Sequence, residues 1–347
     1  MALIEAPVGV READLTDPST CAAIDAFVAS DPGATPFHLP AWSRAVQRGT
    51  GQRARYLIAE RGDGGIAGVL PLTEMRSLLF GKALVSTGFG VDGGILGAAV
   101  EPLASGAWAL AQRLGCPGVE LRGGQAPAGW TIDDHSYLGF TRDLAADDAA
   151  ELLAIPRKQR AEVRRALGLD LDVVTGNSPA LLAEHHRVYA ESVRNLGTPV
   201  FPAALFRAVA AGLDADVLTV RHRGKAVASV LSLYHAGIVY PYWGGGTAAA
   251  RALRANDRMY YALMLHARAR GCTRFDFGRS KTGTGAAAFK KNWGFDPVPR
   301  AYSKRSDGPA REVNPLNPKY AAMVRTWQRL PLPVANLLGP LLSRGLG

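Results

Sequence analysis

The chain repeats itself, and that limits what it can fold into. Leu57–Leu72 reads as two strands joined by an Asp-Gly turn, and Leu218–Leu233 follows the same plan. Each half then runs through another apolar strand and a helix into a Gly-Cys pair and a further strand. These are Gly115-Cys116 before Val119-Glu-Leu-Arg122, and Gly271-Cys272 before Arg274-Phe-Asp-Phe277. The cysteines lie 156 residues apart and the Val-Leu pairs of the hairpins 161. Such close offsets predict one α/β unit, a mixed sheet with helices, present in two copies with small insertions between them.

At 347 residues the chain is long enough for two cores. We place the boundary after Asp143, which gives an N-terminal domain over 1–145, a C-terminal domain over 146–303 and a tail over 304–347. The tail is basic and apolar, with Asn314–Tyr320, a helix bearing Trp327, and the Leu- and Pro-rich stretch Leu330–Leu342. That character suits packing on its own domain, or contact with a membrane interface. A net charge of +10 predicts attraction to nucleic acid, anionic membrane or a phosphorylated small molecule, without choosing among them. Cys21, Cys116 and Cys272 are odd in number and lack CxxC spacing, so they read as reduced, buried thiols. No signal-like N-terminus and no apolar run of spanning length is visible, so a cytoplasmic protein is expected.

The richest stretch for chemistry is Arg274–Phe295. It reads as a buried strand over Arg274–Phe277, a glycine-rich turn, a short helix carrying Phe289 and Lys290, and a stop at Gly294. Open α/β sheets hold ligands at the carboxyl ends of strands, which makes Lys290 the first candidate for chemistry. A fixed ammonium stabilises the oxyanion of an acyl transfer, or protonates a leaving hydroxyl if burial lowers its pKa. The plainer reading is an exposed lysine pair with Lys291. Asp276 ends the strand, where an unpaired carboxylate is costly; it either serves Lys290 and the attacking amine or caps the turn. Gly283 and Gly285 precede a helix and suit a phosphate, though no Gly-Lys-Ser/Thr ending follows.

Arg157–Arg165 carries five basic residues against one Glu. On a helix Arg157, Arg160 and Arg164 share a face, and with Lys158 they suit a phosphate. No aromatic residues interleave and no DNA-binding module is visible, so DNA is not an expected partner. Tyr240 and Tyr242 share a strand face with Trp243 opposite, either as an acceptor wall or as core. His38 reads as a satisfied structural histidine, and no histidine spacing suggests a metal.

The order of elements, closed by Phe289-Lys-Lys-Asn-Trp-Gly-Phe295, resembles the GNAT acyl-CoA N-acyltransferase plan, with Lys290 where those enzymes often carry a tyrosine general acid. Their pyrophosphate signature, Gln/Arg-x-x-Gly-x-Gly/Ala, is missing from Gly244–Asp257, which favours a carrier such as aminoacyl-tRNA over CoA. The whole chain is similar to the FemAB aminoacyltransferases. The similarity rests on Arg157-Lys-Gln-Arg160, Tyr240–Gly245, Phe275–Ser280 and Gly283-Thr-Gly285 through Phe295. It looks closest to FemAB-like proteins associated with exosortase and PEP-CTERM exopolysaccharide systems.

The resemblance implies two tandem GNAT-like domains, the first degenerate and acceptor-binding. It implies transfer of an acyl or aminoacyl group to an amine on a cell-envelope or exopolysaccharide precursor, with Lys290, Asp276 and Phe289 as catalytic residues. Arg279 joins the phosphate-binding set. No cofactor is expected to be tightly bound; the donor would be aminoacyl-tRNA, acyl-CoA or acyl carrier protein. The acceptor would be a phosphorylated precursor or glycolipid, met in the cytoplasm or at the inner face of the membrane. Two further readings are an acyl-CoA- or carrier-dependent N-acyltransferase of a sugar or lipid amine, and a non-catalytic assembly factor that binds anionic glycolipid or RNA.

Overall fold

A computed structural model describes residues 8–77, 81–308 and 321–347, so Asn314–Tyr320 of the tail lies outside the described residues. In chain order the first half holds β1 (Gly9–Glu12), α1 (Pro18–Ser30), α2 (Pro40–Thr50), β2 (Arg53–Glu60), β3 (Ile66–Ser77) and β4 (Gly81–Ser86). It continues with β5 (Leu96–Gly97), α3 (Val100–Arg113), β6 (Gly118–Arg122), β7 (Thr131–Asp133) and β8 (Tyr137–Asp143). Then come α4 (Asp148–Ala154), α5 (Arg157–Leu167), β9 (Asp172–Gly176), α6 (Pro179–Asn195), α7 (Ala203–Gly212), β10 (Ala215–His222) and β11 (Lys225–His235). The last elements are β12 (Ile238–Gly246), α8 (Ala255–Ala269), β13 (Arg274–Lys281), α9 (Gly285–Asn292), β14 (Pro297–Pro299), β15 (Tyr302–Ser306), α10 (Ala321–Arg329) and α11 (Leu332–Ser343).

The repeat is real in three dimensions. One sheet runs β1-β2-β3-β4-β6-β15-β7, with β5 on the side of β3, and the other β9-β10-β11-β12-β13-β8-β14. In each, four antiparallel strands lead to one parallel join, β4 with β6 and β12 with β13. The Gly-Cys pairs end the helix before that join. Gly115 and Gly271 adopt left-handed φ of 63° and 85°. The next N–H, of Cys116 or Cys272, bonds back to Ala111 or Ala267. This is a Schellman-type stop, which glycine enters at least cost. All three cysteines are buried and unpaired.

The two copies exchange a strand, and this moves the expected boundary. The sixth place in the second sheet is taken by β8, which follows the first copy in sequence and pairs with β13 from Arg274↔Asp143 to Lys281↔Tyr137. The same place in the first sheet is taken by β15, from the end of the second copy. The compact units are therefore the described parts of Met1–Asp134, Ala301–Val313 and Arg344–Gly347, and of His135–Arg300 and Asn314–Ser343. A cut at 145 would strand β8 on the wrong side, because hydrogen-bond pairing, not sequence similarity, assigns a strand to its sheet.

Within the second unit, β11 reads Ala-Val-Ala-Ser-Val-Leu-Ser-Leu-Tyr and is buried almost throughout. An unbroken buried strand needs cover on both faces. Met259, Leu263, Met264 and Ala267 of α8 pack into the core with Val230, Val239 and Phe275. Phe206 of α7 packs at a tilt against Trp243 of β12, with ring centroids 4.5 Å apart. The run Gly244–Gly246 permits close approach on two sides. A Cβ at Gly245 would lie 2.3 Å from Ser192 Oγ, and one at Gly246 2.5 Å from Ala250 Cβ.

Candidate active site

β13 is longer than its sequence suggested. It does not stop at Phe277 but continues to Lys281 across a bulge, where the register with β8 shifts between Asp276 and Arg279. Gly278 carries the bulge with a left-handed φ of 67°. The glycine turn is shorter than expected, Thr282–Thr284. Gly283 takes φ 76° there, and Thr284 caps α9 by accepting the Ala287 N–H at 3.4 Å. Gly285 is exposed, and a Cβ there would meet nothing within 4 Å.

Lys290 and Lys291 have opposite fates. Lys291 is exposed. Lys290 is half-buried, and its Nζ donates to the carbonyls of Gly278 at 3.2 Å and Arg279 at 2.9 Å. The same nitrogen lies 5.3 Å from the ring centroid of Phe140 and 5.5 Å from that of Phe277. Burial of the ammonium pushes its pKa from 10.5 down to about 7, with Arg279 and Arg300 helping and Asp276 opposing. A lysine balanced there changes charge near neutral pH, as proton-transfer groups require.

Asp276 adopts the capping alternative. Its carboxylate accepts from the Gly278 N–H at 2.7 Å and from Arg300 Nη2 at 3.4 Å. Lys290 Nζ donates to carbonyls rather than to this carboxylate, so Asp276 acts on the lysine through its nearby charge and by holding the bulge. Phe289 is placed in an aromatic cluster, 5.7 Å from Tyr260, 6.2 Å from Phe277 and 6.2 Å from Trp293 between ring centroids. Its contacts are those of core packing. Arg279 lays its guanidinium 4.4 Å from the Tyr137 ring centroid.

The aromatic face on β12 differs from the expected alternation. A bulge between Leu231 and Ser232 sets Trp243 opposite Leu231 and Tyr240 opposite Leu233, leaving Tyr242 as the extra residue. Tyr240 and Trp243 therefore occupy same-face positions, not Tyr240 and Tyr242, because one inserted residue reverses the parity of a strand. Both are buried, while Tyr242 is half-buried. The ladder between β12 and β13 covers only Ile238↔Arg274 and Val239↔Phe275. β12 then runs on for seven residues to Gly246. In the first unit β4 ends at Ser86, the last residue of its own parallel ladder.

α5 begins beside the end of α9, since a Cβ on Gly294 would sit 3.0 Å from Pro156 Cδ. Gln159, Val163 and Ala166 form its buried face, and Gln159 Nε2 donates to Asp257 of α8 at 2.5 Å. Arg157, Lys158 and Arg164 are exposed, with no carboxylate partner among the described residues. Arg160 is half-buried and donates to the Leu153 carbonyl at 3.0 Å, so it is part of the packing. His38 is satisfied by Thr35 on one ring nitrogen and by the Gly94 carbonyl on the other. Among the described residues, no group of three His, Cys, Asp or Glu side chains is arranged to hold a metal.

Sequence reasoning missed the contribution of β8 and Arg300. Gly139-Phe140 reads in sequence as the first copy's equivalent of Gly294-Phe295. In the fold it lies in β8, where Phe140 faces Lys290. Arg300 reaches Asp276 by lying over Gly139; a Cβ there would meet Arg300 Nε at 2.4 Å. A cavity of about 730 Å³ lies elsewhere in the unit, between α6, the β10–β11 turn, Thr247 and α11. None of the expected site residues lines it.

Residues 139–291 match a family described as "Acetyltransferase (GNAT) domain". The match begins inside β8, in keeping with the strand's place in the second sheet. The protein is an acyltransferase. Solved structures extend the likeness to both copies. FemX superposes with a TM-score of 0.64 at 16% identity, over 85% of this chain and 96% of that one. The C-terminal domain of a putative lysylphosphatidylglycerol synthetase from Agrobacterium fabrum gives 0.56 at 14%, over 82% and 91%. A tandem GNAT protein from the clavulanic acid biosynthesis pathway gives 0.55 at 15%, over 88% and 100%. At these identities the likeness establishes the fold, two tandem GNAT-like units. No curated protein matches the sequence.

Proposed function

We propose that the acyltransferase moves an aminoacyl group from aminoacyl-tRNA to an amine on a phosphorylated cell-envelope or exopolysaccharide precursor, with Lys290 as the proton-transfer group. The observation that carries this reading is Lys290 Nζ, anchored on the Gly278 and Arg279 carbonyls with its pKa lowered to about 7. Two of its N–H bonds are taken by the carbonyls. The third position is an N–H when the amine is charged and a lone pair when it is neutral. In the charged form it donates to the oxyanion of the tetrahedral intermediate and then to the leaving oxygen. The neutral form accepts a proton from the attacking amine. Asp276 and Arg300 are positioning residues that hold the bulge, and Phe289 holds α9 against the core.

We place the donor along β12 beyond the end of its ladder with β13, with Tyr242 and the start of α9 at Gly283 and Gly285 beside it, and phosphate on Arg157, Lys158 and Arg164. The lysylphosphatidylglycerol synthetase domain has a name that joins this fold to aminoacylation of a phospholipid, which supports the substrate class. The match to an acetyltransferase domain supports a second donor, acyl-CoA or acyl carrier protein, acting on a sugar or lipid amine. Transfer of labelled amino acid from charged tRNA, measured with and without ribonuclease, separates the two. Ribonuclease-sensitive incorporation is expected; resistant transfer from acyl-CoA would replace the tRNA reading. Envelope precursors that accumulate on deletion of the protein, read by mass spectrometry, identify the acceptor.

The phosphate face gives a second test. Reversing Arg157 and Arg164 to Glu is expected to raise the KM for the phosphorylated substrate about tenfold or more, and added salt should shrink the difference. Both residues are exposed, so Tm should hold. An unchanged KM would move the phosphate elsewhere. Arg160→Glu, by contrast, should lower Tm, because it breaks the bond to Leu153.

A further inference from the structure

α11 is turned the opposite way from a helix that merely covers its own domain. The face it buries is made of small residues four apart, Ala335, Gly339 and Ser343. Gly339 brings the helix close to Val200, where a Cβ would lie 2.9 Å from Val200 Cγ1. Ser343 Oγ donates to the Val200 carbonyl at 2.9 Å. The large residues face out. Val334, Leu337, Leu338 and Leu341 are spaced i, i+3, i+4 and i+7, and are 40%, 74%, 40% and 62% exposed. A lone exposed leucine is ordinary, but four in one helical stripe form a surface built for contact.

Charge says what kind of contact. Residues 321–347 contain Arg325, Arg329 and Arg344 and no Asp or Glu. All three arginines are exposed, and the whole chain carries +10. Glu184 and Glu191 of α6 stand with Arg187 and Lys225 across the cavity at the Leu332 end. The segment that carries the stripe has only cations, which matches an anionic lipid surface where acyl chains take the leucines and headgroup phosphates take the arginines. At 12 residues α11 is about 18 Å long, short of the roughly 30 Å of a bilayer core. No helix among the described residues is long and apolar enough to cross.

We propose that α11 seats Val334, Leu337, Leu338 and Leu341 in the interface of an anionic membrane, lying along it. The inference is independent of which acyl group is transferred, since no transfer-site residue lies on α11.

Flotation of the full chain with phosphatidylcholine vesicles, with and without phosphatidylglycerol, tests it. The chain should float with the anionic vesicles and much less with the neutral ones. Leu337→Glu with Leu341→Glu should cut partitioning at least about tenfold. Arg325→Glu with Arg329→Glu should abolish the preference for phosphatidylglycerol. Because these residues are exposed, the melting curves should stay unchanged, and Leu337→Ser with Leu341→Ser gives a milder pair in case the charges disturb folding. Wild-type protein that floats with neither vesicle overturns the proposal. So does a concentration-dependent dimer, seen by sedimentation, that Leu337→Glu with Leu341→Glu dissolves, since a second copy would then cover the stripe.

Discussion

Lys290→Met is expected to lower kcat by about 10²–10⁴-fold while the protein stays folded and its substrates still bind. Methionine keeps an unbranched apolar stem as far as Cε but lacks the nitrogen, so it fills most of the same space. It loses the contacts of Nζ with the Phe140 and Phe277 rings and the two carbonyls, and has no proton to give or take. The lowered pKa adds a test of the buried amine itself. The unfolded chain protonates this amine up to about pH 10.5, the folded one only up to about 7. Between those values the unfolded state binds more protons, so the penalty of holding Lys290 is complete below about pH 7 and fades as pH rises toward 10.5. Wild type should therefore gain stability relative to Lys290→Met between about pH 6.5 and about pH 9.5. Urea melts of both proteins across that range measure it. A constant difference would mean an ordinary lysine pKa, and full turnover by the variant would remove Lys290 from catalysis.

The second large effect concerns folding. A fragment spanning 146–303 is expected to be insoluble or molten, although it contains every expected catalytic residue. It lacks β8, so β13 loses its partner from Arg274 to Lys281, and the core loses Phe140, which is fully buried. Removal of a buried phenylalanine alone costs about 3–5 kcal/mol, a large part of a typical domain's stability. Starting the fragment at His135 instead should recover cooperative unfolding, provided the chain through Ser343 is kept so that α11 covers Val200. Circular dichroism melts of the two fragments decide the matter; equal, cooperative melts would show that β8 is dispensable. The fragment 1–145 should fail for the reciprocal reason, since β15 fills the sixth place in the first sheet.

How much of this was legible beforehand depends on the range of each interaction. The hairpins, the Gly-Cys helix stops and the strand–turn–helix around Lys290 are local: turn chemistry, left-handed glycines and apolar periodicity act over a few residues. They were readable, as was the duplication. The bulges were not. Nothing in Tyr240–Trp243 or Asp276–Arg279 announces the extra residue, because a bulge is decided by the register of the neighbouring strand. One such residue moved Trp243 to the face of Tyr240, and another turned an expected end of strand into the cradle of Lys290.

Local patterns in the chain alone settle two α/β copies, a basic helix at Arg157–Arg165 and a lysine just after a glycine turn in the second copy only. Which sheet β8 and β15 join, which of Lys290 and Lys291 turns inward, and which face of α11 meets solvent were decided by tertiary structure. Each depends on pairing or burial against residues far away in sequence. A lysine's charge is worth what its surroundings make it worth, and for Lys290 those surroundings include Phe140, which lies 150 residues earlier in the chain.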